Sequence, residues 1–292
     1  MFPFIKKKVI CQMTLNKHIL FTDDTTRMNK RVVEKENKLF PQILELIQTC
    51  PIKNEDYLQI KSFFSKNSLA NLPECEQIID NLIGYINNPN LALCSHGVRC
   101  LYFILCQKTF QFEPKFTSVL CENLQHLIRS PDRIILYYFL NILDYIAKIS
   151  PEYAQMAKEI VPLEILNNII ITSEHKKVTF SAMNFFKNYI ITDANDKDVR
   201  SSLCEVSTEL IKNNEDDIDV LIETVKLCSF YAQKSECWVT FFQPYNLFDV
   251  ILSMFSIDSV PLRIYILRLI SCSFKHTQTI DNIDFPTIIQ LI

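Results

Sequence analysis

Residues 134–147 read IILYYFLNILDYIA and residues 178–190 read VTFSAMNFFKNYI, and these two stretches decide the fold. In both, apolar residues recur at i, i+3, i+4 and i+7, the pattern of an amphipathic helix with one buried stripe. The same pattern occurs in three more stretches, LCSHGVRCLYFIL (93–105), IDVLIETVKLCSFY (218–231) and LRIYILRLISCSF (262–274). One type of amphipathic helix therefore recurs along the chain.

The five copies of this helix are spaced at a nearly constant interval. Aligned on one apolar position, they lie 42, 43, 41 and 43 residues apart. The aligned residues are Leu101, Leu143, Phe186, Leu227 and Ile270. One turn earlier the same alignment gives Val98, Leu140, Met183, Thr224 and Leu267. Thr224 is the one polar exception in a row that is otherwise apolar.

A shorter apolar segment, such as EQIIDNLIGYI (76–86) or LEILNNIII (163–171), precedes each copy. A repeat of two or three helices every 40–47 residues or so is typical of armadillo and HEAT solenoids. Each unit is too thin to bury its own apolar stripe, so it must stack on its neighbours. We therefore predict an all-α, right-handed α-solenoid of stacked helical repeats, an armadillo-like superhelix. The alternative is an irregular helical domain whose matches are coincidental.

The predicted repeat domain occupies residues 39–292 in about six units, of which the last is partial. Residues 39–70 fit a degenerate first unit, and residues 283–292 fit the first helix of a further unit. That helix either caps the stack or continues into a longer solenoid. Residues 1–38 form a predicted basic, flexible N-terminal arm. The arm has nine Lys and Arg against four Asp and Glu, or +5, so the total of −3 leaves −8 for the rest.

Carboxylates near the breaks between helices indicate where the second helix of each unit begins. Asp132, Glu174 and Asp258 stand where a side chain could accept hydrogen bonds from the free amides of the following helix. We predict that these three residues cap their helices or stabilise the first turn through the helix dipole.

Composition limits the class of protein and its compartment. Two glycines in 292 residues disfavour phosphate-binding loops and nucleotide folds, which need glycine for positive φ or close backbone approach. Eleven cysteines, several of them in apolar runs, occur without any Asn-x-Ser/Thr sequon or signal peptide. No apolar stretch is long enough to cross a bilayer. We predict a protein of a reducing compartment, cytoplasmic and possibly nuclear.

No catalytic or metal-binding constellation is found in the sequence. The histidines are scattered, no Cys-x-x-Cys pair offers metal spacing, and no Gly-x-Ser-x-Gly turn is present. Cys94, His96 and Cys100 share one helix, and we interpret them as core residues. We therefore expect no enzyme, no cofactor, no metal and no small-molecule substrate. A deep pocket with converging ionisable groups would favour an enzyme or its regulatory subunit instead.

Two charged segments have a structural and a functional interpretation. The run from Glu215 to Asp219 is either the solvated start of a helix or a site for a basic partner. Lys176, Lys177 and Lys187 alternate with phenylalanines, which could indicate nucleic-acid binding. We interpret that pattern as an apolar stripe with a solvated opposite face, so nucleic-acid and membrane partners are not expected.

The units resemble armadillo repeats, and over about residues 39–292 the arrangement is similar to the importin alpha family. In that family the third helix of each repeat lines a concave groove, where rows of Trp and Asn hold an extended basic peptide. Transferred to this sequence, the Trp row falls on Arg99, Asn141, Asn184, Val225 and Arg268. The Asn row falls on Phe103, Tyr145, Asn188, Ser229 and Cys272. Only Asn188 keeps the family residue, and each unit fits two helices as well as three.

The resemblance implies a non-enzymatic protein-interaction scaffold that binds a partner protein or an extended peptide along its concave surface. The predicted partner-binding residues are Arg99, Phe103, Asn141, Tyr145, Asn184, Asn188, Ser229 and Arg268. The alternative is an importin-alpha-like nuclear transport adaptor that recognises basic cargo peptides. In that case the basic arm would engage a carrier or fold back on the groove, through Lys6, Lys7, Lys8, Arg27, Lys30 and Arg31. A purely structural alternative is that Phe103 and Tyr145 pack between repeats.

Overall fold

A computed structural model describes residues 39–50, 53–67, 75–105, 114–235 and 246–273. The chain divides into two compact units, Met1–Glu45 and Leu46–Ile292. The described part of the first unit, residues 39–45, is helical and belongs to the predicted degenerate repeat, whereas the predicted repeats from residue 46 onward lie in the second unit. The predicted basic arm and the predicted final helix over 283–292 lie outside the described residues.

Helices make up most of the described residues, and no strand occurs among them, which confirms the all-α prediction. In chain order the helices are α1 (residues 39–48), α2 (Asn54–Phe64), α3 (Cys75–Ile86), α4 (Leu91–Leu105), α5 (Pro114–Leu124), α6 (Arg133–Ala147), α7 (Pro151–Ile160), α8 (Leu163–Thr172), α9 (Lys176–Asp193), α10 (Lys197–Asn213), α11 (Ile218–Lys234), α12 (Leu247–Ser253) and α13 (Val260–Ser273). Short 3-10 segments follow α5 and α12, at Gln125–Arg129 and Met254–Ser256.

The five recurring helices of the sequence are α4, α6, α9, α11 and α13, and they stack in that order. Each packs directly on the next, and α2 packs on the free side of α4 as the first member of the series. Helices α3, α8 and α10 form a second layer behind them, where α3 supports α4, α8 supports α9 and α10 supports α11. This two-layer stack of units is the solenoid that the repeat period predicts.

The predicted core rows lie in the interior of the stack, except at Leu267, which is half-buried. Leu101, Leu143 and Phe186 are fully buried, and Ile270 is nearly so. Thr224, the polar exception, is also fully buried, and its hydroxyl donates to the carbonyl of Val220 at 2.8 Å. A buried hydroxyl that bonds the carbonyl four residues earlier leaves no unsatisfied polar group, so the helix tolerates it.

The number of helices per unit differs along the stack. Counted from the unit that ends in α4, the third unit has three helices, α7, α8 and α9, because the chain turns out of the helix at Val161 and Pro162. The fourth unit has two, because α10 runs through 17 residues without a proline. Units of two helices and units of three helices therefore both occur along the stack, as the sequence allowed.

The capping predictions hold at one of three positions. Asp132 caps α6, accepting from the amides of Ile134 at 2.7 Å and Ile135 at 3.3 Å. The prediction that Glu174 caps α9 is wrong, because His175 occupies the N-cap position of that helix and makes no side-chain cap bond. At α13 the hydroxyl of Ser259, not Asp258, accepts from an amide of the first turn. None of the described helices is both long enough and apolar enough to span a membrane.

Candidate partner-binding face

Each stacked helix buries one side and presents a half-exposed stripe on the other. On α6 the stripe follows positions 134, 138, 141, 145 and 148, and on α9 positions 177, 180, 184, 187 and 191. This spacing of three and four residues keeps the stripe on one side of each helix. We call the combined surface the ladder face. Its main members are Arg99 and Phe103 of α4; Tyr138, Asn141 and Tyr145 of α6; Phe180, Asn184 and Lys187 of α9; Ile222, Lys226 and Phe230 of α11; and Ile264, Tyr265 and Arg268 of α13.

The structure places four members of the predicted Trp row on the ladder face: Arg99, Asn141, Asn184 and Arg268. The fifth, Val225, is fully buried, and the next residue, Lys226, is half-exposed. With Lys226 in the row, the spacings become 42, 43, 42 and 42 residues. The sequence alignment of the fourth unit is therefore displaced by one residue, and Val225 takes the core position assigned to Thr224.

The predicted Asn row is only partly accessible. Phe103 and Tyr145 are half-exposed, whereas Asn188 and Ser229 are buried, with 2% and 3% of their surface exposed. Ser229 donates to the carbonyl of Val225 in its own helix at 2.7 Å. Phe230, one residue later, is half-exposed and continues the row. Asn188 and Ser229 thus lie beneath the ladder face.

Asn188 joins two neighbouring helices. Its amide nitrogen donates to a carboxylate oxygen of Asp144 in α6 at 3.0 Å and to the carbonyl of Phe185 at 3.1 Å. Lys148 pairs with the other oxygen of the same carboxylate at 2.5 Å. Because its amide nitrogen is used within the fold, Asn188 fixes the α6–α9 contact rather than offering a bond to a partner.

Arg99 is the centre of an aromatic cluster at the α4 end of the ladder face. Its guanidinium carbon lies 3.6 Å from the ring centroid of Tyr57 in α2 and 5.7 Å from that of Tyr138 in α6. One terminal nitrogen also donates to the side-chain oxygen of Asn54 at 3.1 Å. Such cation–π contacts hold the guanidinium in place and connect three successive units.

A buried hydrogen-bond chain supports this cluster from below. His96 donates from Nε2 to the carbonyl of Ile47 at 2.8 Å, since a carbonyl can only accept. Burial lowers the pKa of His96, so the neutral ring accepts from the hydroxyl of Tyr57 through Nδ1 at 2.9 Å. The prediction that His96 is a core residue is confirmed, because the ring is 1% exposed.

Lysines occupy the ladder face of α9 and α11. Lys187 donates to the side-chain oxygen of Asn184 at 2.7 Å, and burial lowers its pKa. Lys226 pairs with Glu223 at 2.6 Å, and its ammonium lies 4.5 Å from the ring centroid of Tyr265 in α13. Partial burial acts to lower the pKa of Lys226, but the bond to Glu223, the charge of Glu223 and the contact with Tyr265 together outweigh it, and the pKa is raised. These contacts link α9, α11 and α13 on the same face.

The described residues include histidine, cysteine and carboxylate side chains, the types that metal and thiol chemistry use. No group of three or more His, Cys, Asp or Glu among them could hold a metal. The cysteines whose side chains are described are free thiols, and burial raises the pKa of Cys94 and of Cys228 to about 11. Thiols with raised pKa values carry little thiolate and are poor nucleophiles.

The sequence analysis did not assign several residues to the ladder face or to its contacts, namely Tyr57, Tyr138, Lys187, Lys226 and Tyr265. Tyr138 and Lys187 follow the same helical spacing as the predicted rows, so a search for the whole stripe would have found them. Tyr57 and Tyr265 contact the face from neighbouring units, and no local pattern marks that contact.

Solved structures similar to the chain include designed armadillo repeat proteins. One, in complex with the peptide (KR)4, matches with a TM-score of 0.58 and 14% identity over 80% of this chain and 98% of that chain. Computationally designed armadillo repeat proteins for modular peptide recognition match with a TM-score of 0.57, 13% identity, and 80% and 98% coverage. No protein-family model and no curated protein sequence matches the chain. The chain therefore has an armadillo-type repeat fold, while a relation to importin alpha is not shown.

Proposed function

We propose that the protein is a non-enzymatic interaction scaffold that binds a partner protein or extended peptide along the ladder face. The observation that carries the proposal is the aligned row Arg99, Asn141, Asn184, Lys226 and Arg268, one residue from each stacked helix. Arginine and aromatic side chains, which flank this row, are the types that dominate binding energy at protein interfaces. A regular row of polar groups suits an extended backbone, which presents its own groups at regular intervals.

An importin-alpha-like adaptor for basic peptides is the alternative within the same fold. Acidic members of the face, Asp144 and Glu223, are already paired with Lys148 and Lys226. The row itself carries Arg99, Lys226 and Arg268, so a basic peptide would meet like charges there. This charge pattern favours the general scaffold role over a basic cargo site.

The scaffold role predicts that exposed residues of the ladder face determine which proteins the chain captures. Replacing both Asn184 and Arg268 with alanine should abolish the capture of partner proteins. Affinity purification from the native cell, with the bound proteins quantified by mass spectrometry, measures this loss. A matched control replaces Glu205 and Lys212 with alanine, two exposed residues of α10 outside the face. Asn188 is unsuitable for this test because its loss would disturb the α6–α9 contact.

Thermal melting by circular dichroism establishes that both double variants keep the native fold. The proposal expects the control to retain the wild-type partners and the face variant to lose them. Recovery of the same proteins by all three chains would contradict a binding role for the face.

A further inference from the structure

A cleft of about 460 Å³ opens at one edge of the ladder face, between the first turns of α6 and α9. Its wall carries four cationic side chains and two tyrosines: Arg99, Arg133, Lys176, Lys177, Tyr137 and Tyr138. Among the described residues, Glu174 is the single carboxylate that lines it. The start of α9, which has no side-chain cap, faces the same edge and adds the positive end of its dipole.

Three of the four cations in the cleft are not neutralised within the described part of the chain. No described carboxylate lies within ion-pair distance of Arg99, Arg133 or Lys177. Arg133 lies 3.2 Å from Nε2 of His175, a neighbour that does not offset its charge. Only Lys176 is paired, with Asp217 at 2.6 Å. The cleft therefore presents a net positive charge to a ligand.

The cleft also offers apolar area beside the charge. Tyr137 and Tyr138 are half-exposed, with ring centroids 4.8 Å apart in an edge-to-face arrangement. Ile134 contributes an aliphatic surface that is 43% exposed. Arg99 is already held against Tyr57, so little side-chain entropy is lost when its guanidinium binds an anion. A ligand that combines negative charge with an apolar group fits this wall.

We propose that the cleft binds an extended peptide segment with a short run of Asp or Glu beside an apolar side chain; this inference rests on the scaffold role proposed above. The carboxylates would pair with Arg99, Arg133 and Lys177, since guanidinium groups form charge-assisted bonds with carboxylates. The apolar side chain would pack on Tyr137, Tyr138 and Ile134. Charge complementarity of this kind selects the partner.

The neighbouring unit limits the length of the negative run. Beyond Lys176 the same edge continues into Asn214, Glu215, Asp216, Asp217 and Asp219, which line the adjoining depression. A long polyanion such as nucleic acid would extend from the positive cleft onto this acidic surface and be repelled. A peptide can confine its negative charge to a few residues, and so we infer a peptide rather than a nucleic acid.

Fluorescence polarisation with the full chain tests the charge preference. The probes are a labelled peptide with Asp and Glu around a leucine, its Asn/Gln and Lys/Arg counterparts, and a single-stranded oligonucleotide. We expect saturable binding of the acidic peptide. Binding of the Asn/Gln peptide, the Lys/Arg peptide and the oligonucleotide should be weaker by at least about tenfold. Affinity for the acidic peptide should fall as salt is added, because screening weakens exposed charge pairs.

Charge reversal locates the site. Arg133→Glu combined with Lys177→Glu should weaken the binding of the acidic peptide by at least about tenfold. Lys197→Glu combined with Lys212→Glu, on exposed positions of α10, makes the same change in net charge and should leave the affinity within about twofold. Equal losses in the two double variants would overturn the inference, because the effect would then come from net charge alone.

Other outcomes overturn the inference in different ways. Absence of saturable acidic-peptide binding, or a preference for the basic peptide, removes the acidic partner class. Tighter binding of the oligonucleotide than of the acidic peptide would show that the cleft binds nucleic acid and not a peptide. If any of these occurs while partner capture still depends on Asn184 and Arg268, the scaffold role stands and only the partner class is wrong.

Discussion

Replacing Phe186 with alanine should lower the free energy of unfolding by about 3–5 kcal/mol. Phe186 is fully buried in α9, the helix that packs between α6 and α11 in the stack. Removing the ring leaves a cavity in the apolar stripe that each unit can bury only against its neighbours. Urea denaturation followed by circular dichroism measures the loss.

Phe180 on the same helix provides the matched control. Its ring is half-exposed on the ladder face, so Phe180→Ala removes the same atoms without opening an interior cavity. We expect a loss of about 1 kcal/mol or less, because the removed area is only partly buried. Equal losses for the two variants would contradict the assignment of Phe186 to the core between repeats.

Replacing Gly97 with alanine should destabilise the chain, although alanine is the better helix former. A Cβ at this position would lie 2.8 Å from Cβ of Tyr85, and 3.1 Å from both the amide of Ile86 and the carbonyl oxygen of Leu82. Two of these three atoms belong to the backbone of α3, so α3 and α4 must separate. Overpacking costs about 1–3 kcal/mol, against a propensity gain of about 1 kcal/mol, and we expect a net loss in thermal or urea unfolding.

At Gly84, the other glycine of the chain, we expect replacement with alanine to have the opposite effect on stability. Apart from the adjacent residues and the nearby backbone of α3 itself, no heavy atom lies within 4 Å of a Cβ built at this position. Gly84→Ala should therefore stabilise the chain by roughly 0.5–1 kcal/mol, because alanine loses less conformational entropy in a helix. A gain in both glycine variants would show that α3 and α4 are not in close contact at Gly97.

The sequence predicted the helical repeat well because its signal is local and repeated. Apolar spacing within each helix identifies the buried side, as Leu101, Leu143 and Phe186 illustrate. A thin unit with such a side must stack, so the solenoid follows from the same pattern. The number of helices per unit was left open, and the structure shows that Val161 and Pro162 decide it in the third unit.

The register of the fourth unit could not be fixed from the sequence. Leu227 and Cys228 are adjacent and both buried, so either one aligns with the apolar positions of the other units. A shift of one residue turns a helix by about 100°, which exchanges the buried Val225 for the half-exposed Lys226. The same shift exchanges Ser229 for Phe230, and the apolar pattern alone does not distinguish these alternatives.

The cationic cleft also has no counterpart in the local sequence. Arg99, Arg133 and Lys177 are 34 and 44 residues apart along the chain, and stacking of three units brings them to one cleft. Carboxylates elsewhere in the sequence balance the charge of these three side chains. Only the structure shows that no described carboxylate lies within ion-pair distance of them. A surface of this kind is defined by the fold rather than by a motif.

Pairwise distances between spin labels test the stacked-repeat architecture most directly. Labels introduced through an unnatural amino acid would replace exposed residues in the first turns of α4, α6, α9, α11 and α13, at Ala92, Ile134, Lys177, Asp219 and Pro261. Packed helices lie about 8–10 Å apart. We therefore expect the distance from position 92 to increase with every unit, by roughly 10 Å each time. A distance from 92 to 261 no longer than that from 92 to 177 would contradict the solenoid.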